Sequence, residues 1–300
     1  MCIRDRYNRV QRRRLEIRPG LTGQAQINGR NGLTWEQKFD HDIWYVDRIS
    51  LWLDLRIICM TPWKVLRSEG ISAAGHATVE KFRGTPPDPD TMPVVVLGAG
   101  GHARVVISTL LVQERTVIAV LDDDDSLWGD TLLGVPVTGP LSKLESYEDC
   151  AAIIAIGNNA IRQRVAQQTD GLWTRVIHPH SSIDPKTEID PGTVVMAGAV
   201  IQCGSRIGAH SIVNTSATID HDCLIEEFVH VAPGCHLAGD VEVHRGTLLG
   251  IGSKVIPGMR IGADATIGAA AAVVRDVPDR VTVTGVPGRI LSGSRTDRAA

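Results

Sequence analysis

The 300 residues, 43% hydrophobic and 22% charged, suffice for two or more folded domains, and a formal net charge of −3 gives no basis for a general nucleic-acid binder. Six cysteines without a C-x-x-C pair exclude a disulfide scaffold and fit a reducing cytoplasm. The most apolar stretch, Leu51 to Met60, is ten residues long and carries Asp54 and Arg56, too short and too charged to span a bilayer.

Residues 1–84 stand apart from the rest, with a basic run at Arg12 to Arg14 and four of the six tryptophans. That run reads equally as a solvated surface and as a contact for anionic lipid headgroups. A linker over 85–92 follows, and its prolines disfavour regular structure. Pro93 then opens a predicted strand, Val94 to Leu97, which ends in Gly98-Ala-Gly-Gly-His102 before a helix-like stretch from Ala103 to Leu111. A second strand, Val117 to Leu121, ends in Asp122 to Asp125. A third, Ala152 to Ile156, ends in Gly157-Asn-Asn159 ahead of another helix. Strand, special turn and helix repeated at this scale predict a small parallel α/β domain over 93–180, with ligands at the carboxyl ends of its strands.

The glycine turn, with Asp122 about twenty residues on, satisfies the dinucleotide fingerprint, so NAD binding is a rival reading. Common to both readings is that glycines let backbone N–H groups approach a diphosphate at a helix N-terminus.

From Ile183 to Val273 every sixth residue is aliphatic, in sixteen consecutive hexads. Three hexads make one triangular coil of eighteen residues, the register of a parallel β-helix over 181–291, followed by a tail at 292–300. The position four after each aliphatic is mostly small, as at Thr193, Ala199, Ser205, Ser211, Ala217 and Cys223. A narrow prism with tight corners requires that.

Together Gly98-Ala-Gly-Gly-His102, Leu121-Asp-Asp123, Asn214-Thr-Ser-Ala-Thr-Ile-Asp-His-Asp-Cys223, Phe228-Val-His230 and Gly285-Val-Pro287 resemble the UDP-4-amino-sugar N-acetyltransferases of the bacillosamine pathway, cousins of sialic acid O-acetyltransferases. The resemblance covers 93–291 and implies a left-handed helix, a handedness on which the spacing is silent. It implies that Gly100, Gly101, His102, Asp122, Asp123 and Gly157 hold a UDP-amino-sugar. His230, Gly239, Ile251 and Ala269 would line the channel for the cosubstrate acetyl-CoA, with no metal. It further implies a homotrimer with active sites between prisms.

N-acetylation from a thioester requires a neutral amine and removal of a proton as the C–N bond forms, which suits an imidazole. His221 is the expected general base, Asp222 its orienting carboxylate and Asn214 a third residue within reach. His230, half a coil away, would meet His221 only across an interface. Cys223 sits near His221 but occupies an inward position and reads as core. The histidines also suggest a zinc-dependent carbonic anhydrase, against which the His221 motif and the nucleotide domain both argue.

Arg18-Pro-Gly-Leu-Thr-Gly-Gln-Ala-Gln-Ile-Asn-Gly-Arg30, Trp35-Glu-Gln-Lys-Phe39 and Gly75-His-Ala-Thr78 resemble the end of a bacterial phosphoglycosyl transferase, an enzyme acting on UDP-sugars at the cytoplasmic membrane face. The segment is accordingly expected to be the C-terminal remnant of such a domain over 7–84, inactive because it is truncated. A peripheral membrane contact through 1–84 and a cytoplasmic location follow as expectations. The fusion favours a UDP-4-amino-4,6-dideoxy-N-acetyl sugar acetylated at C4, giving UDP-N,N'-diacetylbacillosamine for glycan or glycoprotein biosynthesis. A sugar O-acetyltransferase and a non-catalytic nucleotide-sugar scaffold are the alternatives.

Overall fold

The computed structural model describes residues 13–17, 27, 34–66 and 88–291. Much of the amino-terminal motif set, including residues 75–78 and most of 18–30, lies outside them, as does the tail at 292–300. The chain divides into two units, 1–87 and 88–300.

In the first unit, α1 (Trp35–Val46) starts at a capping box in which the Thr34 hydroxyl accepts from the Gln37 N–H and the Gln37 side chain accepts from the Thr34 N–H. In α2 (Leu51–Leu66) Ile57 is buried, as Phe39 is in α1. The Tyr45 hydroxyl donates to Asp54, tying the two helices together. No helix of the described residues is long and apolar enough to cross a membrane.

The second unit begins earlier than the expected boundary at Pro93. Residues 88–92, expected in the linker, form a short 3-10 turn whose Asp90 carboxylate accepts from the Thr174 hydroxyl and from the Arg175 backbone and guanidinium. Proline at the first position of such a turn costs no hydrogen bond, so the proline-rich run ends in structure.

Strands β1 (Val94–Leu97), β2 (Val117–Leu121), β3 (Thr131–Leu132), β4 (Val135–Gly139) and β5 (Ala151–Ile154) form one sheet in the order β3-β4-β2-β1-β5, parallel except for β3. Leu97 lies beside both Leu121 and Ile154, so the glycine turn, Asp122 and Gly157 emerge at one edge. The continuous Val/Leu content of β1 and the all-apolar Ala-Ala-Ile-Ile of β5 match their full burial under α3 (Gly101–Val112) and α4 (Asn159–Gln168).

From β6 (Val176–Ile177) to β22 (Ala272–Val273) the chain winds as a left-handed parallel β-helix, with strands eighteen residues apart paired in register, as Ile201 with Ile219 and Ile219 with Leu237. Three faces result. One holds β13 (Thr218–Ile219), the second β14 (Leu224–Ile225), and the third β15 (His230–Val231), which also carries β6. The hexad aliphatics from Val195 to Val273 stack in a single buried core, while Ile183 and Ile189 at the open end are only partly buried.

The small inward residues do more than fit. Ser205, Ser211 and Thr247 donate from their hydroxyls to the carbonyls of Asp220, Glu226 and Gly262 at 2.7–2.8 Å, and each accepts an N–H from the next coil. Short hydroxyl side chains thereby satisfy corner groups that an alkyl residue would leave unpaired. Strands β23 (Thr282–Thr284) and β24 (Arg289–Ile290) close the end as an antiparallel pair.

The α/β domain and the helix share one core, because Ala103, Val106, Ile107 and Leu110 of α3 pack with Val176, Val194 and Met196 of the third face.

Candidate functional site

Where β1, β2 and β5 end, a cleft of about 680 Å³ opens, lined by all six residues expected to hold the nucleotide sugar: Gly100, Gly101, His102, Asp122, Asp123 and Gly157. Gly98 makes the close approach possible. Its backbone is at φ +104°, and a side chain there would meet Ile156 Cγ1 at 2.7 Å. Gly100 and Gly101 face open space, leaving the first turn of α3 accessible.

Asp122 is engaged within the chain. Its Oδ2 accepts the Ala99 N–H at 2.6 Å and its Oδ1 the Asp124 N–H at 2.9 Å, so the carboxylate holds the two strand-end loops together. Asp123 accepts the Leu141 N–H on one oxygen.

Sequence reading missed the opposite wall, formed by Ile161, Arg164, Val165 and Gln168 of α4. These occupy positions i, i+3, i+4 and i+7 after the Asn158 cap, a helical stripe that was visible in the residue order. It also missed Arg162, which is fully buried and points the other way, into the prism. Its guanidinium donates to the carbonyls of Ile156, Gly157, His210 and Phe228 and to Asn159 Oδ1, at 2.7–3.2 Å.

His230 sits at this junction. Its Nδ1–H donates to the Gly157 carbonyl at 3.2 Å, and its Nε2 accepts from the Asn214 amide at 3.1 Å. Burial, then the charge of Arg162, pushes its pKa down to about 4. The His102 ring lies 6.4 Å away, and burial, His230 and Arg162 bring it also to about 4. Its Nε2 is buried without a partner among the described residues.

His221 lies elsewhere, at the corner between the first two faces, where its Nδ1–H donates to Asp222 Oδ2 at 2.9 Å. That bond, with the charges of Asp220, Asp222 and Asp240, raises the His221 pKa and leaves Nε2 as the basic nitrogen. Two glycines make room for the pair. A Cβ on Gly239, one coil above, would lie 2.5 Å from His221 Cε1 and Nε2. A Cβ on Gly204, one coil below Asp222, would lie 2.3 Å from Oδ1. Gly239→Ala is therefore expected to displace the ring and lower kcat by about 100-fold with little change in Tm, read by CoA release and thermal melting. Unchanged kcat would show that the ring position has no bearing on turnover.

One subunit does not assemble the remaining expected residues. Within one subunit Asn214 is paired with His230 and not with His221. Of the residues expected to line the acetyl-CoA channel, His230 faces the α/β domain and Gly239 supports His221. Ile251 and Ala269 stack eighteen residues apart at the third corner, both exposed. Cys223 is buried, donates to the Ala238 carbonyl and has its pKa raised by burial, so it serves the core.

The profile of the PglD N-terminal domain matches residues 93–169, and that of bacterial sugar transferases matches residues 2–68. A point mutant of perosamine N-acetyltransferase from Caulobacter crescentus, solved with CoA and GDP-perosamine, is 40% identical over 66% of this chain and 96% of its own, with a TM-score of 0.64. The acetyltransferase domain of PglB from Neisseria gonorrhoeae, solved with acetyl coenzyme A, is 37% identical over 67% of this chain and 100% of its own, with the same TM-score of 0.64. The uncharacterized sugar transferase EpsL of Bacillus subtilis is 56% identical over 79 residues, and the chain spans 39% of its length.

These matches correct the composite expected from sequence. The transferase-like segment, over 2–68, lies N-terminal to the acetyltransferase part, and the description of it as a C-terminal transferase piece running from 7 to 84 does not stand.

Proposed function

The chain belongs, over its acetyltransferase part, to the left-handed β-helix N-acetyltransferase family of these two structures, and from that premise we propose that it acetylates an amine of a nucleotide-linked amino sugar. The observation that carries this reading is the His221–Asp222 pair, held at a prism corner by the space that Gly204 and Gly239 leave. Asp222 keeps the proton on Nδ1, so Nε2 can take the proton that the amine loses as the C–N bond forms and the thioester C–S bond breaks. Acetyl-CoA supplies the activated acetyl group, and the exposed apolar residues Ile251 and Ala269 suit its pantetheine arm.

The face that carries the α/β domain is opposite the corner that carries His221. We therefore take a neighbouring copy to bring its His221 to the cleft, in a cyclic trimer. The acceptor we favour is the C4 amine of a UDP-4-amino-4,6-dideoxy-N-acetyl sugar, because relatives of the sugar-transferase-like segment in the same chain are named for UDP-glucose and UDP-galactose. On this reading the reaction takes place in the cytoplasm, with residues 1–84 at the inner membrane face.

The test is release of free CoA thiol with this acceptor, with a GDP-linked 4-amino sugar and with sialic acid. Turnover confined to the UDP-amino-sugar supports the full proposal, and turnover with the GDP-linked sugar alone changes the nucleobase. Turnover with sialic acid alone replaces N- by O-acetylation, and none with any acceptor leaves a nucleotide-sugar scaffold.

A further inference from the structure

We propose that Arg164 is the residue that binds the diphosphate of the nucleotide sugar, an assignment that rests on the nucleotide-sugar reading above. Arg164 is the one cation among the described residues that line the cleft, and it makes no hydrogen bond or ion pair with any of them. An arginine that faces a cleft beside a helix N-terminus and is left without a partner offers a fork of donors suited to an anion.

The rest of the cleft is arranged to admit that charge. Gly100 and Gly101 present the first turn of the twelve-residue helix α3 without side-chain cover, and its N–H groups and dipole favour an anion. The carboxylates that would repel a diphosphate are partly spent on backbone: both oxygens of Asp122 and one of Asp123 accept N–H groups. His102 contributes no positive charge at neutral pH, because burial first, then His230 and Arg162, hold it at about 4. Among the described residues that line the cleft, the counter-charge for two phosphates thus falls to Arg164 on the α4 wall.

No other nearby group can supply the charge. Arg162, two residues away, is buried and committed to four carbonyls, so it cannot turn to the cleft. Gln168 supplies no charge. Lys143 donates to the Thr138 carbonyl.

The experiment is calorimetric titration of the full chain with UDP, GDP and uridine, in wild type, Arg164→Met and Arg164→Lys, alongside steady-state kinetics. Arg164→Met is expected to weaken UDP or GDP binding about 10-fold or more, the scale of one charge-assisted bidentate contact. Uridine binding should not change, because it has no phosphate. KM for the acceptor should rise by a similar factor with kcat at saturation unchanged, and Arg164→Lys should restore part of the loss. The difference should shrink at high salt, since the side chain is exposed.

Diphosphate affinity within about 2-fold of wild type in Arg164→Met would overturn the assignment while leaving the nucleotide reading in place. A wild type that binds neither UDP nor GDP would overturn both.

Discussion

His221→Asn is expected to lower kcat by a factor of ~10²–10⁴, the usual contribution of a positioned general base. Folding should be unaffected. The His221 and Asp222 side chains are 57% and 68% exposed, and surface substitutions of this kind leave stability nearly unchanged. KM for acetyl-CoA should stay near its wild-type value, because the ring acts on the amine and not on the thioester's binding.

The pH profile separates base catalysis from a mere contact. The hydrogen bond to Asp222 and three nearby carboxylates raise the His221 pKa, so the acid limb of kcat should lie above the ordinary histidine value of about 6.5. Asp222→Asn removes the largest cause. Its acid limb should move to lower pH while kcat falls, since the base becomes weaker and loses its orienting partner. An acid limb that stays in place in Asp222→Asn would assign the titration to the acceptor amine. Retention of more than a tenth of wild-type kcat in His221→Asn would remove His221 from the mechanism.

Arg162→Met is expected to cost about 4 kcal/mol or more of stability, because four carbonyls and the Asn159 side chain lose their donors in a buried site. Among the described residues no carboxylate pairs with the guanidinium; its partners are carbonyls and the Asn159 side chain, and burial draws its pKa down to about 9.

The same residue contributes to acid stability. His102, His210 and His230 are each held at about 4, chiefly by burial, with Arg162 adding to the effect in every case. The unfolded chain binds protons that the folded chain refuses between about 6.5 and 4. Stability is therefore complete above about 6.5 and falls as pH drops, by about 2 kcal/mol per independent histidine at pH 5. In Arg162→Met the three pKa values should rise toward normal, so the mutant should be less stable at pH 7 yet lose less between pH 7 and pH 5. Urea titrations at both pH values check this. Parallel losses in mutant and wild type would show that Arg162 does not influence the histidines.

Much of the fold was legible because its rules are periodic. A residue every six that must point inward defines the prism, and arithmetic in eighteens already puts Gly239 above His221 and Ile251 below Ala269. The strand-end motifs were legible for a similar local reason, since a glycine turn after a short apolar strand has few other conformations. The six cleft residues between Gly100 and Gly157 accordingly came together. Their partners on α4 were missed although Asn158 and the stripe of Ile161, Arg164, Val165 and Gln168 were open to view.

Sequence alone determined the coil, its inward and outward positions, the edge of the sheet that opens and the pairing of His221 with Asp222. Only the tertiary structure decided which face of the prism the α/β domain covers. That choice rests on contacts between residues 48 and 66 positions apart, Arg162 with His210 and with Phe228, and on α3 packing against Met196. A repeat makes its three faces equivalent in pattern, so no periodicity distinguishes them. The docking of α3 and α4 breaks that symmetry, places His230 and Asn214 at the junction and leaves His221 on the far corner.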